Sequence, residues 1–273
     1  MKVYAEPYAL AAIIESHPQV LLMLDYDGTL VPLAQRPEQV RPPRDLVQIL
    51  ADLAVRPGLK LAIISGRPLE DLCRLLPIKG AYLAGSHGRY LSVPGTRGGE
   101  PRRVIRLGPP GPGRKVWEAV RSLAQAAAAG VKGLWVEDKE EGIALHYREA
   151  EGSQVEGVLL SFVRNVEPWL ESEGLELLHG NKVLEVRIRG VHKGLAVEYL
   201  RSLHPRAFPV YLGDDTTDED AFRALQDRGL AVQVGPPRPS GASLRLPSPA
   251  AVKEFLALLH GAGRQTISAY RCQ

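Results

Sequence analysis

The chain has 273 residues, 45 % of them hydrophobic and 24 % charged, which is enough apolar side chain to fill a sizeable core and argues against low-complexity disorder. Its 34 basic and 31 acidic residues leave a net charge of +3 with no long basic run, so no nucleic-acid or membrane-surface partner is expected and a small molecule is favoured. The longest apolar run, Tyr8 to Ile14, is far short of the roughly 20 residues that span a bilayer, and two distant cysteines, Cys73 and Cys272, specify neither a disulfide framework nor a zinc site, so a cytoplasmic protein is expected.

In chain order, Val20-Leu21-Leu22-Met23-Leu24, Leu61-Ala62-Ile63-Ile64, Ala81-Tyr82-Leu83-Ala84, Val210-Tyr211-Leu212 and Leu230-Ala231-Val232 are short apolar runs with little alternation. Such runs read as strands buried on both faces, the signature of a parallel sheet. Helical stripes at i, i+3, i+4, i+7 lie between and after them: Leu46, Ile49, Leu50, Leu53; Ala196, Tyr199, Leu200, Leu203; Val252, Phe255, Leu256, Leu259. Strand, helix, strand in this order predicts a doubly wound, Rossmann-like α/β core with right-handed crossovers.

The middle reads differently. After Gly108-Pro109-Pro110-Gly111-Pro112-Gly113 come a helix carrying Val116, Val120 and Leu123, a hairpin, a second helix carrying Val155, Val158, Leu159, Phe162, Val166 and Trp169, and another hairpin. The prediction is a discontinuous core, residues 1–107 and 189–273, interrupted by an α+β insert, residues 108–188. The insert is expected to act as a lid, hinged near Gly108 to Gly113 and Ile188 to Val191.

The first core strand ends in Asp25-Tyr26-Asp27-Gly28-Thr29, with two carboxylates at i and i+2 on the edge where open α/β sheets bind ligands. The second ends in Ser65-Gly66-Arg67, a hydroxyl and a free amide suited to phosphate oxygens at a helix start. Val210 to Leu212 runs into Gly213-Asp214-Asp215-Thr216-Thr217-Asp218-Glu219-Asp220, where so many acids repel unless a cation joins them; oxygen-only ligands fit a hard divalent ion such as Mg²⁺. An acidic first helical turn accounts for Asp218 and Glu219 through the helix dipole, but not for Asp214 and Asp215. Lys193, opening another helix, is ordinary as a surface lysine and useful beside a phosphate.

Asp25-x-Asp27-Gly-Thr, Ser65-Gly-Arg, Lys193-Gly and Gly213-Asp-Asp-x-Thr-Asp218, in that order, resemble the four signature motifs of the haloacid dehalogenase superfamily of phosphatases. The resemblance implies that Asp25 is the nucleophile, forming an aspartyl phosphate, and that Asp27 is the general acid and then the base for water. It implies a Mg²⁺ ion on Asp25, the backbone carbonyl of Asp27 and Asp214, with Asp215 and Asp218 in support, and a phosphate held by Ser65, Gly66 and Lys193.

In the insert, strand alternation sets Trp135, Glu137 and Lys139 on one face; Ala144, His146 and Arg148 share it on the partner strand, and Glu185 and Arg187 on another. The opposite face is apolar and expected under the two helices. The polar face reads either as a solvated surface with ordinary cross-strand ion pairs or as a surface for sugar hydroxyls. Val136-Glu137-Asp138-Lys139, Leu145-His146-Tyr147-Arg148 and Gly180-Asn181-Lys182-Val183-Leu184-Glu185-Val186-Arg187 closely resemble the trehalose-6-phosphate phosphatases. By that likeness Glu137, Lys139, Arg148, Glu185 and Asn181 contact the sugar, and a functional pairing with trehalose-6-phosphate synthase is implied. One departure stands out: after Ser86-His87-Gly88 this chain has Arg89 and Tyr90, where the family has a small residue and Glu. Related sugar phosphates (sucrose phosphate, mannosyl-3-phosphoglycerate, glucosylglycerol phosphate) remain alternative substrates, and a catalytically silent regulatory partner of a trehalose synthase is a third reading.

Overall fold

The computed structural model describes residues 3–34, 40–95, 100–139, 141–150, 154–180, 182–225 and 228–270. The chain divides into two compact units, Met1–Leu107 with His192–Gln273, and Gly108–Val191.

The first part of the core runs β1 (Val3–Tyr4), α1 (Pro7–Glu15), β2 (Val20–Leu24), α2 (Arg44–Ala54), β3 (Leu59–Ile64), α3 (Leu69–Leu75), β4 (Tyr82–Gly85), β5 (Tyr90–Val93) and β6 (Arg103–Arg106). The insert contributes α4 (Arg114–Ala129), β7 (Trp135–Lys139), β8 (Gly142–His146), α5 (Gln154–Ser172), β9 (Leu175–Gly180) and β10 (Val183–Ile188). The core then resumes with α6 (Lys193–Leu203), β11 (Phe208–Gly213), α7 (Glu219–Leu225), β12 (Leu230–Val234), β13 (Leu244–Leu246) and α8 (Pro249–Tyr270).

The core sheet has the order β1-β13-β12-β11-β2-β3-β4-β5-β6, parallel from β1 to β4, with β5 and β6 added antiparallel. All five apolar runs of the sequence are strands of its parallel part. β2 sits between β11 and β3, in register Leu22↔Val210 and Leu22↔Leu61. Its two faces pack into different clusters. Leu22 and Leu24 join side chains of α1, α2 and α8, whereas Leu21 and Met23 join Ala196, Val197 and Leu200 of α6 and Phe222 of α7. Burying each such leucine contributes about 1.5–3 kcal/mol, which is why a strand covered on both sides needs no polar residue until it reaches the sheet edge.

The insert is a four-stranded antiparallel sheet of order β7-β8-β10-β9. α4 and α5 cover one face, where Val120, Ala124, Phe162 and Val166 meet Ile143, Leu145, Leu184 and Val186. No helix among the described residues is long and apolar enough to cross a membrane.

Candidate active site

Every strand of the core that carries chemistry delivers it at the same edge, because parallel strands share a carboxyl end. Asp25 follows β2 with the parity of Leu21 and Met23, the face turned to α6. The first residue of that helix is Lys193, whose Nζ donates to Asp25 Oδ1 at 2.6 Å and to Asp218 Oδ1 at 2.7 Å. An ammonium at a helix N-terminus opposes the dipole, so these two carboxylates are what hold it there. Asp218 is fully buried and also accepts the Tyr211 hydroxyl at 2.7 Å and the Asp215 amide at 3.0 Å.

Asp214 leaves the end of β11 toward the turn after β2, and Thr29 Oγ1 donates to its Oδ1 at 3.4 Å. Gly28 makes this approach possible. Its φ is +83°, in the left-handed region, and a Cβ there would stand 2.7 Å from Asp214 Oδ1 and nearer still to the rest of the carboxylate. Oxygens of Asp25, Asp214 and Asp218 come within 4.8 Å of one another.

The electrostatics follow from that crowding. Burial pushes the Asp25 carboxyl well above the usual range; Lys193 pulls against it, and Asp218 and Asp214 push further. Asp214 is pushed up to about 7, by burial first and then by Asp218. Burial alone would lower the Lys193 ammonium, but Asp218 and Asp25 outweigh it and hold the proton on. One ammonium faces three carboxylates in an all-oxygen environment, which is a donor set that fits a hard divalent cation. Asp218 is already engaged by three donors, so Asp25 and Asp214 are the carboxylates of the cluster that would hold it.

Asp27 turns its carboxylate elsewhere. Arg67 Nε and Nη2 each donate to one of its oxygens at 2.6 Å, and the guanidinium lies 5.0 Å over the Tyr26 ring. Ser65, buried at the end of β3, accepts the Arg67 amide on Oγ at 3.1 Å, so its own proton is what it can offer a ligand. Gly66 packs against the His87 ring, where a Cβ would stand 2.7 Å from Cε1. Ser86 and His87 adopt left-handed backbone at φ 50° and 54°, conformations that cost side-chain-bearing residues about 1–2 kcal/mol each.

Two residues singled out in the sequence lie in settings the sequence did not show, and a third falls outside the described residues. Asp215, read as support for the cation, gives its carboxylate to the Thr216 amide at 2.7 Å and caps the 3₁₀ turn Thr216–Asp218 in a capping box; it bonds the acidic cluster through its backbone amide, and its charge adds to the upward push on Asp214. Arg148, read as the last outward residue of a strand, lies exposed in a turn, because the β8 ladder ends where His146 pairs Val183. Asn181 lies outside the described residues, as does Cys272.

On the insert, register decides the relief of the polar face. Glu137, Ala144 and Glu185 are cross-strand neighbours in one row, and Lys139, Gly142 and Arg187 in the next. The middle strand thus contributes two small residues, a floor with Glu137 and Lys139 on one side and Glu185 and Arg187 on the other. Lys139 Nζ donates to Glu185 Oε2 at 2.5 Å, and Arg187 Nε to Glu176 at 2.7 Å. Burial would lower the Lys139 ammonium, but Glu185 and Glu137 raise it. His146 Nε2 lies 2.8 Å from Glu137 Oε2, with its ring stacked on Trp135 at 4.0 Å. Arg67, Tyr211 and His146 are the site residues to which the sequence attached no role. The signals available were Arg67's place in Ser65-Gly66-Arg67 and His146's parity with Ala144.

The sequence pattern of the family described as trehalose-phosphatase matches residues 23–249. The chain belongs to that family. Two curated relatives are a bifunctional trehalose-6-phosphate synthase/phosphatase of Thermoproteus tenax, 35 % identical over 217 residues (79 % of this chain), and trehalose-phosphate phosphatase B of Arabidopsis thaliana, 30 % identical over 261 residues (91 % of this chain). The chain spans 28 % of the length of the first and 68 % of the second. The solved C-terminal domain of Candida albicans trehalose-6-phosphate phosphatase superposes with a TM-score of 0.82 at 26 % identity, covering 96 % of this chain and 98 % of that one. The α/β fold is also that of a solved haloacid dehalogenase-like hydrolase of Bacteroides thetaiotaomicron, with a TM-score of 0.62 at 13 % identity, covering 88 % of this chain and 98 % of that one.

Proposed function

We propose that this chain is a Mg²⁺-dependent phosphatase that hydrolyses trehalose 6-phosphate to trehalose and phosphate. The observation that carries the reading is the buried Asp25, bonded to Lys193 and clustered with Asp214 and Asp218, in a chain of the trehalose-phosphatase family.

In this reading Asp25 attacks phosphorus and becomes an aspartyl phosphate, and Asp27 gives a proton to the departing sugar oxygen. Asp27 then takes a proton from water, which attacks the phosphorus and frees Asp25 and phosphate. Lys193, the Ser65 hydroxyl and the Gly66 amide neutralise and orient the equatorial oxygens, which is most of what phosphoryl transfer requires. Arg67 fixes the direction of the Asp27 carboxylate. A Mg²⁺ ion on Asp25, Asp214 and the Asp27 carbonyl would add Lewis-acid polarisation of the phosphoryl oxygen. The insert supplies the sugar-reading surface, the Gly142–Ala144 floor with Glu137, Lys139 and Glu185 around it; Arg148 and Asn181 are further sugar contacts implied by the family resemblance alone. The Thermoproteus tenax relative, named as both synthase and phosphatase, supports a functional pairing with the synthase that makes the substrate.

The test is phosphate release from trehalose 6-phosphate, sucrose phosphate, mannosyl-3-phosphoglycerate and glucosylglycerol phosphate, each with Mg²⁺ and with EDTA. Trehalose 6-phosphate is expected to lead the panel, with activity lost in EDTA, restored by Mg²⁺ and absent in Asp25→Asn. A faster rate on another sugar phosphate, or undiminished release by Asp25→Asn, overturns the reading.

A further inference from the structure

The acidic loop after β11 is gripped from outside by a residue that belongs to no motif. Arg238 lies in the loop after β12, and its guanidinium makes a fork across the loop's backbone. Nε donates to the Asp214 carbonyl at 3.0 Å, Nη2 to the Asp215 carbonyl at 2.7 Å, and Nη1 to Glu219 Oε1 at 2.6 Å. Nη1 also reaches the Pro239 carbonyl at 3.2 Å. Glu219 completes the clamp, its other oxygen accepting the Gly241 amide at 2.7 Å. The arginine's own loop is anchored: Gln233 Nε2 donates to the Pro236 carbonyl at 2.5 Å, and Arg245 Nη1 to the Gly235 carbonyl at 3.0 Å. The Arg238 side chain is only 22 % exposed.

Two consecutive carbonyls tied to one rigid fork fix the peptide between Asp214 and Asp215, and so the direction in which the Asp214 side chain leaves the backbone. Arginine suits this task where lysine does not, because its donors are planar and pre-set while an ammonium is a mobile point charge. A positive charge near a cation site also weakens cation binding through space. The two effects therefore have opposite signs, and that makes them separable.

We infer that Arg238 is a positioning residue for the divalent cation: it holds the Asp214–Asp215 backbone so that the Asp214 carboxylate is preset toward Asp25. This rests on the phosphatase reading above and adds to it a residue outside the signature motifs. If geometry dominates, loss of the fork weakens Mg²⁺ binding even when positive charge is removed with it.

The experiment is calorimetric titration of the metal-free, full-length chain with MgCl₂ alone, for the parent, Arg238→Lys, Arg238→Gln and Glu219→Gln. Both arginine variants are expected to bind Mg²⁺ about tenfold more weakly, equivalent to about 1.4 kcal/mol. Glu219→Gln, which keeps an acceptor for the fork, is expected to lose less than about threefold. In turnover, the Mg²⁺ concentration for half-activation should rise by the same factor while kcat at saturating Mg²⁺ changes little. A purely structural arginine would instead lower the thermal midpoint in EDTA and leave the Mg²⁺ constant alone. Mg²⁺ affinity within twofold of the parent, or tighter, in both arginine variants overturns the inference and leaves the phosphatase reading intact. A parent that binds no Mg²⁺ overturns both.

Discussion

Gly28→Ala tests the geometry of the core cluster most directly. A Cβ at residue 28 would stand 2.7 Å from Asp214 Oδ1 and closer to its other carboxylate atoms. Unstrained contacts to carbon lie near 3.5 Å, so the carboxylate must retreat by roughly 1 Å or more. A misplacement of that size costs about 10²-fold in rate when the displaced group orders the reaction. The methyl group would also sit at φ +83°, adding about 1–2 kcal/mol of backbone strain. At about 2–4 °C per kcal/mol, the midpoint of a melt should fall by only a few degrees, leaving a folded protein to assay. The assay is steady-state phosphate release across a Mg²⁺ series, with Gly157→Ala as control. Gly157 lies inside α5 with open space around its Cα, so alanine there should add about 0.5–1 kcal/mol of stability and leave turnover unchanged. A Gly28→Ala enzyme that keeps a third of parental efficiency at the parental Mg²⁺ requirement would refute the claim that this turn must close on Asp214.

Glu185→Ala and Lys139→Ala should each depress kcat/KM on trehalose 6-phosphate by about one to two powers of ten, the loss of a charged hydrogen bond, while hydrolysis of a small aryl phosphate barely changes; equal losses on both substrates would assign the pair to folding. Arg67→Lys should slow the sugar phosphate by about 10- to 100-fold and an activated aryl phosphate much less, since only a poor leaving group needs an aligned Asp27; a uniform loss across leaving groups would contradict that alignment. Acid should act on the insert through Glu137. Burial would raise the Glu137 carboxyl, but the His146 hydrogen bond and Lys139 hold it below its ordinary 4.5. A depressed folded value means stabilisation present above pH 4.5 and lost as pH falls through the lower folded value. All three tryptophans, Trp117, Trp135 and Trp169, belong to the insert, so fluorescence-monitored unfolding reports that unit. The stability gap between parent and Glu137→Gln should close on acidification from pH 6 to pH 3, and a gap that is constant or widening would exclude the mechanism.

The parallel sheet was legible because β2, β3, β4, β11 and β12 are buried on both faces over most of their length and are apolar there, Lys60 and Gln233 apart. β5 and β6 were not, since an edge strand such as Arg103-Val104-Ile105-Arg106 alternates weakly and is largely exposed. Asp25, Ser65, Lys193 and Asp214 announced themselves at strand and helix ends. Their partners did not, because contacts across long separations leave no local trace: Arg67 meets Asp27 over 40 positions, and Arg238 meets the Asp214 carbonyl over 24. Tyr211 was hidden by its setting, where a hydroxyl on a buried strand reads as one more apolar residue. Asp215 has a backbone role that the sequence reading passed over. Its spacing to Asp218 spells a capping box, and the crowd of acids around it drew attention to charge instead of to the backbone.

The order of the core strands has a consequence for how the protein is born. β2 lies between β3, made soon after it, and β11, which is synthesised only after the whole insert. During translation β2 therefore waits with one side unpaired, while the insert, contiguous and with its own hydrophobic cluster, has all it needs to collapse first. Closing a loop of this length adds little to the equilibrium cost but much to the folding time, since entropy is lost before the β2–β11 contacts reward it. Asp25 and Asp214 meet only when that loop shuts, so a nascent or C-terminally truncated chain that lacks β11 has an open half-sheet in which the acidic cluster is never assembled.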